Sequence, residues 1–203
     1  MIKMFTGIVK ARGVLCEVQP LGTDSRLNIE VPESLAGALR EGDSMCVNGV
    51  CLTMTDPGSK GFAADVSAET LARTTLGSLQ QGDVLNLEPA MTLADPLGGH
   101  LVSGHVDGVA ELVARESDGR AQRFEFRLPD GLERYVAQKG SVCVDGVSLT
   151  VNSVAGNVFT VCLIPHTLDV TTLGRLVPGD GVNVEVDLIA RYLERLSLFE
   201  NRA

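Results

Sequence analysis

The chain has 203 residues, of which 44% are hydrophobic and 21% are charged, so it can build folded cores and is not a disordered polypeptide. Acidic residues outnumber basic ones by 26 to 17, giving a formal net charge of -9, and this excludes nucleic acid as a first-choice partner because phosphate binding needs a basic face. No apolar run approaches the roughly 20 residues of a membrane span, and the N-terminus lacks the apolar segment of a signal peptide. We therefore expect a cytoplasmic protein with no membrane association.

The cysteines and histidines lack the close ligand pairs that are typical of a metal centre. Five cysteines, with no Cys-x-x-Cys spacing, argue against a disulfide framework in a chain that is not exported. Two of the three histidines, His100 and His105, are five residues apart, a spacing that suits neither face of a helix well. We expect no metal site.

The first half of the chain has the pattern of short strands joined by tight turns. Residues 26–31 alternate polar and apolar side chains and stop at Pro32, and a short helix is compatible with the segment that starts at Leu35. Asn48-Gly49 lies between two apolar runs, which is the strongest short-range indication of a hairpin. A further turn, Gly82-Asp83, precedes another strand.

The second half shows the same pattern. Residues 123–128 alternate and stop at Pro129, the segment from Leu132 again suits a short helix, and Asp145-Gly146 and Gly179-Asp180 mark the turns. Roughly six short strands in each half favour a small Greek-key β-barrel, which leaves no exposed sheet edge.

The two halves are an internal repeat with an offset of about 97 residues. The matching blocks are 5–9 with 102–106, 44–53 with 141–150, 70–77 with 167–174, and 82–88 with 179–185. Solenoid units reach about 50 residues at most, so this period indicates two homologous domains. The predicted fold class is all-β, with an N-terminal barrel at 1–99, a C-terminal barrel at 100–187, and a separate helix at 188–203.

The tail has the i, i+3, i+4, i+7 pattern of an amphipathic helix. Its apolar stripe consists of Ile189, Tyr192, Leu193, Leu196 and Phe199, and its polar side carries Arg191, Glu194 and Arg195. Such a short helix is marginal alone in water and needs a packing partner. Two partners remain open, the barrels of the same chain and the tails of other subunits, and the position of the helix after both repeats favours the second.

Positions where the halves differ inside matched blocks are the candidates for function. These pairs are Cys51 and Ser148, Glu69 and His166, Ile8 and His105, and Gly42 and Lys139. As a set they indicate one pocket architecture in both halves, with chemistry added to one of them. Each also has a structural interpretation, since a cysteine is more often a small buried residue than a nucleophile and a lysine is usually on the surface.

Five motifs resemble the alpha-chain type of riboflavin synthase in order and spacing, at residues 4–9, 48–53, 98–105, 145–150 and 163–168. The resemblance runs from Met4 to the tail. It implies two six-stranded Greek-key lumazine-binding barrels and a C-terminal helix that holds a homotrimer. It also implies a site where the N-terminal barrel of one subunit meets the C-terminal barrel of a neighbour.

The reaction implied by this resemblance is a dismutation of two molecules of 6,7-dimethyl-8-ribityllumazine. One molecule donates a four-carbon unit to the other, which gives riboflavin and 5-amino-6-ribitylaminouracil. No metal or redox cofactor is implied. Association with lumazine synthase is a further partner that the resemblance suggests.

The same resemblance assigns residues to two pockets, one in each half. The first-half set is Phe5, Gly7, Ile8, Val9, Ser44, Cys51, Leu52, Thr53, Ser67 and Thr70. The second-half set is Gly104, His105, Val106, Lys139, Ser148, Leu149, Thr150, Ile164 and Thr167. His105, Ser148 and Thr150 are assigned to proton handling, Cys51 to assisting or stabilising an adduct, and Lys139 to orienting or polarising the ligand.

Two other functions compete with this interpretation. A non-catalytic lumazine or flavin antenna protein shares both barrels but tends to lose pocket residues in one half, whereas residues 51–53 and 148–150 are intact here. A β-barrel interaction module accounts for the repeat but not for the differences within matched blocks.

Overall fold

A computed structural model describes residues 4–37 and 39–200, with the side chains of residues 199 and 200 excepted. The predictions that concern Phe199 and the chain ends, 1–3 and 201–203, lie outside these described residues. None of the helices within them is both long and apolar enough to cross a membrane.

The first half contains six strands. In chain order its elements are β1 (Ala11–Leu21), β2 (Asp24–Glu30), α1 (Glu33–Ala36), β3 (Ser44–Val47), β4 (Val50–Thr53), β5 (Gly61–Val66), α2 (Ala68–Arg73), a 3-10 turn (Thr75–Ser78) and β6 (Val84–Pro89). The helix expected from Leu35 begins two residues earlier, at Glu33, directly after Pro32, because proline suits the start of a helix and cannot continue one.

The second half repeats these elements and adds a helix. They are β7 (Gly108–Asp118), β8 (Ala121–Arg127), a 3-10 turn (Glu133–Tyr135), β9 (Ser141–Val144), β10 (Val147–Ala155), β11 (Val158–Leu163), α3 (Pro165–Val170), a 3-10 turn (Thr172–Arg175), β12 (Gly181–Val186) and α4 (Leu188–Glu200). The segment from Leu132 therefore forms a single 3-10 turn. The predicted all-β class with two six-stranded barrels and a C-terminal helix is confirmed.

Both halves share one strand order, but only the second closes completely. The order is β4-β3-β6-β1-β2-β5 in the first half, and β10-β11-β8-β7-β12-β9 forms a closed barrel in the second. Strand β10 is nine residues long and pairs with both β9 and β11. Strand β4 stops after four residues, so β4 and β5 meet through one described bridge, between Thr55 and Ala63.

The hairpin turns predicted from sequence are present in both halves. Asn48 and Gly49 have φ of 45° and 85°, and Asp145 and Gly146 have φ of 45° and 80°. Positive φ at both central residues is the requirement of a type I′ turn, which asparagine, aspartate and glycine tolerate. These turns join β3 to β4 and β9 to β10, and they meet at the centre of the molecule, where an ideal Cβ on Gly49 would lie 3.0 Å from the Gly146 nitrogen.

Two asparagines join the barrels through hydrogen bonds to these turns. The Asn86 side-chain amide donates to the Asp145 carbonyl at 2.9 Å, and the Asn183 amide donates to the Asn48 carbonyl at 2.7 Å. All four residues are buried. Because each asparagine belongs to one half and satisfies the turn of the other, the two halves are held in one pseudo-symmetric arrangement.

Helix α4 touches the second barrel through its polar side. Glu194 accepts hydrogen bonds from Tyr135 and Arg134, and Arg191 contacts Asp107. Four stripe residues of the helix are at least 60% exposed: Ile189, Tyr192, Leu193 and Leu196. The amphipathic helix is confirmed, and these four residues of its apolar stripe are not buried against the barrels of the same chain.

Candidate active site

The segments that precede the first strand of each barrel, residues 5–9 and 102–106, cross over, so that each contacts the other half of the chain. The Ser148 N–H donates to the Gly7 carbonyl at 2.8 Å, and the Cys51 N–H donates to the Gly104 carbonyl at 2.9 Å. Each half thus supplies the turn that covers the other half's candidate residue. The sequence-based assignment grouped Gly7 with Cys51 and Gly104 with Ser148, whereas here each turn lies on the candidate residue of the other half. Repeat alignment cannot reveal an exchange of this kind between repeats.

Hydrophobic packing shows the same exchange. Val9 packs against the core of the second barrel, whereas Val106 packs against the core of the first. Between them, Phe5 and Val102 form a backbone bridge, and both side chains are fully buried in a small central cluster. The crossing is thus fixed by apolar burial as well as by hydrogen bonds.

Two buried carboxylates hold the crossing turns. Glu88 accepts hydrogen bonds from the Thr6 hydroxyl, the Thr6 N–H and the Gly7 N–H at 2.6, 2.7 and 3.0 Å. Glu185 accepts the equivalent set from Ser103 and Gly104 at 2.7–2.8 Å. Burial raises the pKa of both carboxyls, and these hydrogen bonds oppose that effect by favouring the charged form.

The glycines of these turns permit close approach. Gly7 and Gly104 have φ of 73° and 77°. An ideal Cβ would lie 2.5 Å from the Ser148 Cβ at Gly7 and 2.6 Å from the Cys51 Cβ at Gly104. No side chain fits in either position, so the backbone of each turn lies directly on the candidate residue.

A cavity of about 400 Å³ contains Cys51 and His105. Its lining comes from both halves: Val50, Cys51, Glu69, Thr70, Arg73 and Thr74 from the first, and Gly104, His105, Val106 and Asp107 from the second. The structure therefore brings Cys51 and Thr70 together with Gly104, His105 and Val106. The half-buried thiol, the exposed imidazole and the threonine hydroxyl are polar groups that a heterocyclic ligand with ring carbonyls can use.

Ser148 forms a second polar centre with a histidine that the sequence reasoning missed. His100 Nδ1 lies 2.7 Å from the Ser148 hydroxyl, and His100 Nε2 is buried without a hydrogen-bond partner. Burial lowers the pKa of His100, so the imidazole is neutral at pH 7. A neutral imidazole beside a hydroxyl can accept its proton.

A separate cavity of about 380 Å³ lies on the outer side of the first half. Cys16, Asp56 and Lys60 are among its lining residues, and none of the predicted site residues belongs to it. The candidate functional residues therefore lie at the two crossing turns and not in this cavity.

Comparison with known proteins agrees with this architecture. The family model of the lumazine binding domain matches twice, at residues 6–90 and 103–187. The chain is 43% identical to a riboflavin synthase of Photobacterium phosphoreum, over 97% of this chain and 90% of that protein. It is 47% identical to a riboflavin synthase of Mycobacterium tuberculosis, over 95% and 98% of the two chains. This chain belongs to the riboflavin synthase family.

Solved structures of a more distant protein share the fold of this riboflavin synthase family member. A crystal structure of LumP complexed with riboflavin matches with a TM-score of 0.83 and 25% identity, covering 90% of this chain and 99% of that one. LumP complexed with 6,7-dimethyl-8-(1'-D-ribityl) lumazine matches with a TM-score of 0.82 and 23% identity over the same shares.

Several residues that the riboflavin synthase resemblance assigned to substrate binding have buried or partly buried side chains. Leu52 is in the core of the first half, and Leu149 packs against the core of the second. Strand alternation explains this, because the residues on either side of each leucine point the other way. Phe5 and Ser44 are also buried, at 0% and 6% exposure. None of these four side chains is among those that line the Cys51 cavity.

The remaining assigned residues lie around the two turns and at strand ends. Ser67 caps α2, and its hydroxyl lies 3.1 Å from that of Thr70. Ile164 and Thr167 occupy the corresponding start of α3. The exposed residues among them are Ile8, Thr53, Ser67, Lys139, Thr150 and Ile164.

Lys139 has a left-handed backbone, with φ of 67°, where its counterpart Gly42 has φ of 78°. Its N–H donates to the Val151 carbonyl at 2.8 Å. A lysine in a conformation that favours glycine carries a backbone cost.

Proposed function

We propose that this protein is a riboflavin synthase that converts two molecules of 6,7-dimethyl-8-ribityllumazine into riboflavin and 5-amino-6-ribitylaminouracil. One molecule gives up four carbon atoms, which the other incorporates into a new ring, so that all atoms of the two substrates appear in the two products. The observation that carries the proposal is identity of 43–47% to riboflavin synthases over nearly the whole chain. Two related polar centres in one chain, at Cys51 and at Ser148, agree with a reaction between two copies of one substrate.

The two pockets have different proposed roles. At Ser148, the neutral His100 imidazole and the hydroxyl form a short proton path that can add water or a hydroxyl to one ring and later remove it. At Cys51, the thiol faces the same cavity as His105, where it can stabilise an adduct while the imidazole accepts a proton from an acidified ring methyl. Thr150 is proposed to assist Ser148, and Lys139 to polarise a ligand group.

The other assigned residues are proposed to bind the rings and ribityl chains. Backbone groups at Gly7 and Gly104 and hydroxyls at Thr53, Ser67, Thr70 and Thr167 suit the pyrimidinedione edge and the ribityl hydroxyls. Ile8, Val9, Val106 and Ile164 supply apolar contact to the rings. Stacking two rings in a fixed orientation supplies a large part of the rate enhancement.

We further propose a homotrimer in which α4, within the helical unit 188–203, packs against its copies. Support comes from the four stripe residues that are at least 60% exposed in one chain, since apolar surface of this kind marks an association site. In such a trimer the first barrel (1–99) of one subunit would meet the second barrel (100–187) of a neighbour. A cytoplasmic location and association with lumazine synthase complete the proposal.

Replacing Leu193 by glutamate is expected to convert the trimer to monomers. The side chain is 60% exposed, and burying a leucine contributes about 2 kcal/mol per chain, whereas a buried unpaired carboxylate opposes association. Sedimentation analysis would read the change against the 21.5 kDa chain. Val177→Glu, which changes a similarly exposed apolar residue outside α4, is the control and should remain trimeric. A monomeric wild type would contradict the trimer.

Replacing His105 by glutamine is expected to lower kcat about tenfold or more, because glutamine keeps a donor but cannot accept the proton. The dissociation constant for the lumazine should change little, since the side chain is exposed at the cavity rim. Steady-state kinetics and fluorescence titration measure the two quantities. Wild-type kcat in this variant would remove His105 from proton transfer.

Replacing Cys51 by serine is expected to lower kcat/KM by about tenfold, because the hydroxyl is less polarisable and a poorer nucleophile than the thiol at this position. Cys162→Ser is the matched control, since Cys162 is an exposed cysteine on the outside of β11. If both variants turn over at the wild-type rate, Cys51 has no part in the chemistry.

The activity itself is tested by mixing the purified chain with the lumazine and following riboflavin absorbance. One riboflavin for every two lumazines consumed is the expected stoichiometry. Tight binding without riboflavin would instead indicate an antenna-type binder. If the chain does not bind the lumazine, both the proposed synthase and the antenna-type binder are contradicted, and only the fold stands.

A further inference from the structure

Residues 104–107, which line the Cys51 cavity and are called the pocket segment here, end at Asp107. Hydrogen bonds hold this aspartate on both its backbone and its side chain. Asp107 donates its N–H to the Val184 carbonyl at 2.8 Å, and its carboxylate accepts the Val186 N–H at 2.7 Å. Its side chain is 11% exposed. Asp107 is thereby fixed against the end of β12, the strand that precedes α4.

Helix α4 supplies the cationic partner of this carboxylate. Arg191, in the first turn of the helix, contacts the second Asp107 oxygen. Its guanidinium also lies 4.9 Å from the centre of the Tyr135 ring, so it packs between the pocket segment and the barrel. A guanidinium in this position neutralises and orients the carboxylate.

Asp107 connects this contact to the candidate chemistry. Asp107, Val106 and His105 line the cavity that contains Cys51, and Gly104, next along the segment, accepts the Cys51 N–H. A shift of Asp107 therefore moves the wall that covers the thiol.

The first repeat cannot build the same contact. The residue equivalent to Asp107 is Lys10, and the residue equivalent to Val186 is Pro89, which has no N–H to donate. No described helix follows Pro89 in the position that α4 occupies after Val186. The contact is therefore specific to the Cys51 pocket and is not a general feature of the repeat.

We propose that Arg191 is a positioning residue for the Cys51 pocket, acting through Asp107. It links the docking of α4 on its own barrel to the placement of the segment that carries His105. The expected effect on turnover rests on the proposed function. The positioning of the cavity wall by Arg191 through Asp107 does not depend on it.

The link is tested by the reactivity of Cys51 in a Cys16→Ser/Cys162→Ser background, where Cys46 and Cys143 are buried and Cys51 is the reactive thiol. Arg191→Gln is expected to raise the rate of alkylation by iodoacetamide about two- to fivefold, the range for losing a partly exposed ion pair. Arg134→Gln is the matched control, because it also removes a contact of α4 and a cation over Tyr135 but touches no residue of the cavity. It should leave the rate unchanged.

A double-mutant cycle separates the pair from general loosening of the helix. Asp107→Asn keeps an acceptor for the Val186 N–H and should raise the rate like Arg191→Gln, and the double variant should be no faster than either. Arg191→Lys should restore most of the wild-type rate. Equal rates in Arg191→Gln and Arg134→Gln, or additive effects in the cycle, would overturn the inference.

Kinetics distinguish this inference from the proposed function. If the wild type makes riboflavin, Arg191→Gln is expected to lower kcat/KM about two- to fivefold, while the alkylation rate rises by a similar factor. If the wild type makes none while the alkylation rates differ as described, the positioning role stands and the proposed function fails.

Discussion

Replacing Ser148 by alanine is expected to lower kcat about one hundredfold, the low end of the range for a lost acid–base group. The hydroxyl lies 2.7 Å from His100 Nδ1, and alanine leaves both nitrogens of the buried imidazole without a partner. Steady-state turnover measures the loss. The wild type should also lose activity in acid, at a lower pH than an ordinary histidine would give, because burial lowers the pKa of His100 and the imidazole ceases to accept a proton only once it is protonated.

The control for this prediction is on the same strand. Ser153→Ala removes a hydroxyl that lies 2.8 Å from the Thr160 hydroxyl and has no part in the proposed chemistry, so its kcat should match the wild type. The double variant of His100 and Ser148 should be no slower than the slower single variant, because the two groups act as a unit. A Ser148→Ala enzyme within twofold of wild type would contradict the role.

Replacing Asp145 by asparagine is expected to stabilise the protein above neutral pH by up to about 4 kcal/mol. Burial raises the pKa of Asp145 from 3.8 to about 7. Asparagine keeps the acceptor for the Asn183 N–H at 2.8 Å and suits the left-handed backbone, as Asn48 does at the equivalent position with the same φ of 45°.

The size of this stabilisation depends on pH. Below 3.8 the carboxyl is protonated in both the folded and unfolded chains, so the substitution has little effect there. Between 3.8 and about 7 the unfolded chain loses the proton first, and the free energy of unfolding of the wild type falls as the pH rises. Above about 7 the full difference is present. Urea unfolding of both proteins at pH 4, 5.5 and 8 would show the difference growing with pH.

The reciprocal substitution is the control. Asn48→Asp places a carboxylate in the equivalent buried turn and should destabilise the protein at pH 8 and much less at pH 4. An Asp145→Asn advantage that does not change between pH 4 and 8 would show that ionisation of this carboxyl is not its cause.

Local patterns predicted most of the fold. Asn48-Gly49 and Asp145-Gly146 form the hairpin turns because few residues tolerate positive φ, and the amphipathic tail forms α4 because its apolar residues recur at helical spacing. The incomplete closure of the first half was not predicted. Both halves have strand patterns in this region, but β4 ends four residues after it begins, whereas β10 continues to Ala155.

The candidate site was predicted in composition more than in arrangement. Cys51, Ser148 and His105 stand out because the repeats differ there, so comparison of the halves detects them. His100 escaped that comparison because it lies just before the repeated block, 48 residues from Ser148. Its distinguishing signals were its place in the motif at 98–105 and its position beside the Gly98-Gly99 pair. That pair lets the backbone approach, since an ideal Cβ on Gly99 would lie 2.7 Å from the Ser148 Cβ.

The sequence by itself determined the duplication, the strands, the turns, the tail helix and the family, because each depends on residue types at short or regular spacing. Only the tertiary structure decided that the segments before the barrels exchange places, that Cys51 lies with His105, and that Ser148 lies with His100. Those contacts join residues far apart in the chain. They depend on the hydrogen bonds that Glu88 and Glu185 accept from the crossing turns and on the burial of Phe5 and Val102 between the halves. Neither interaction produces a periodic pattern in the sequence.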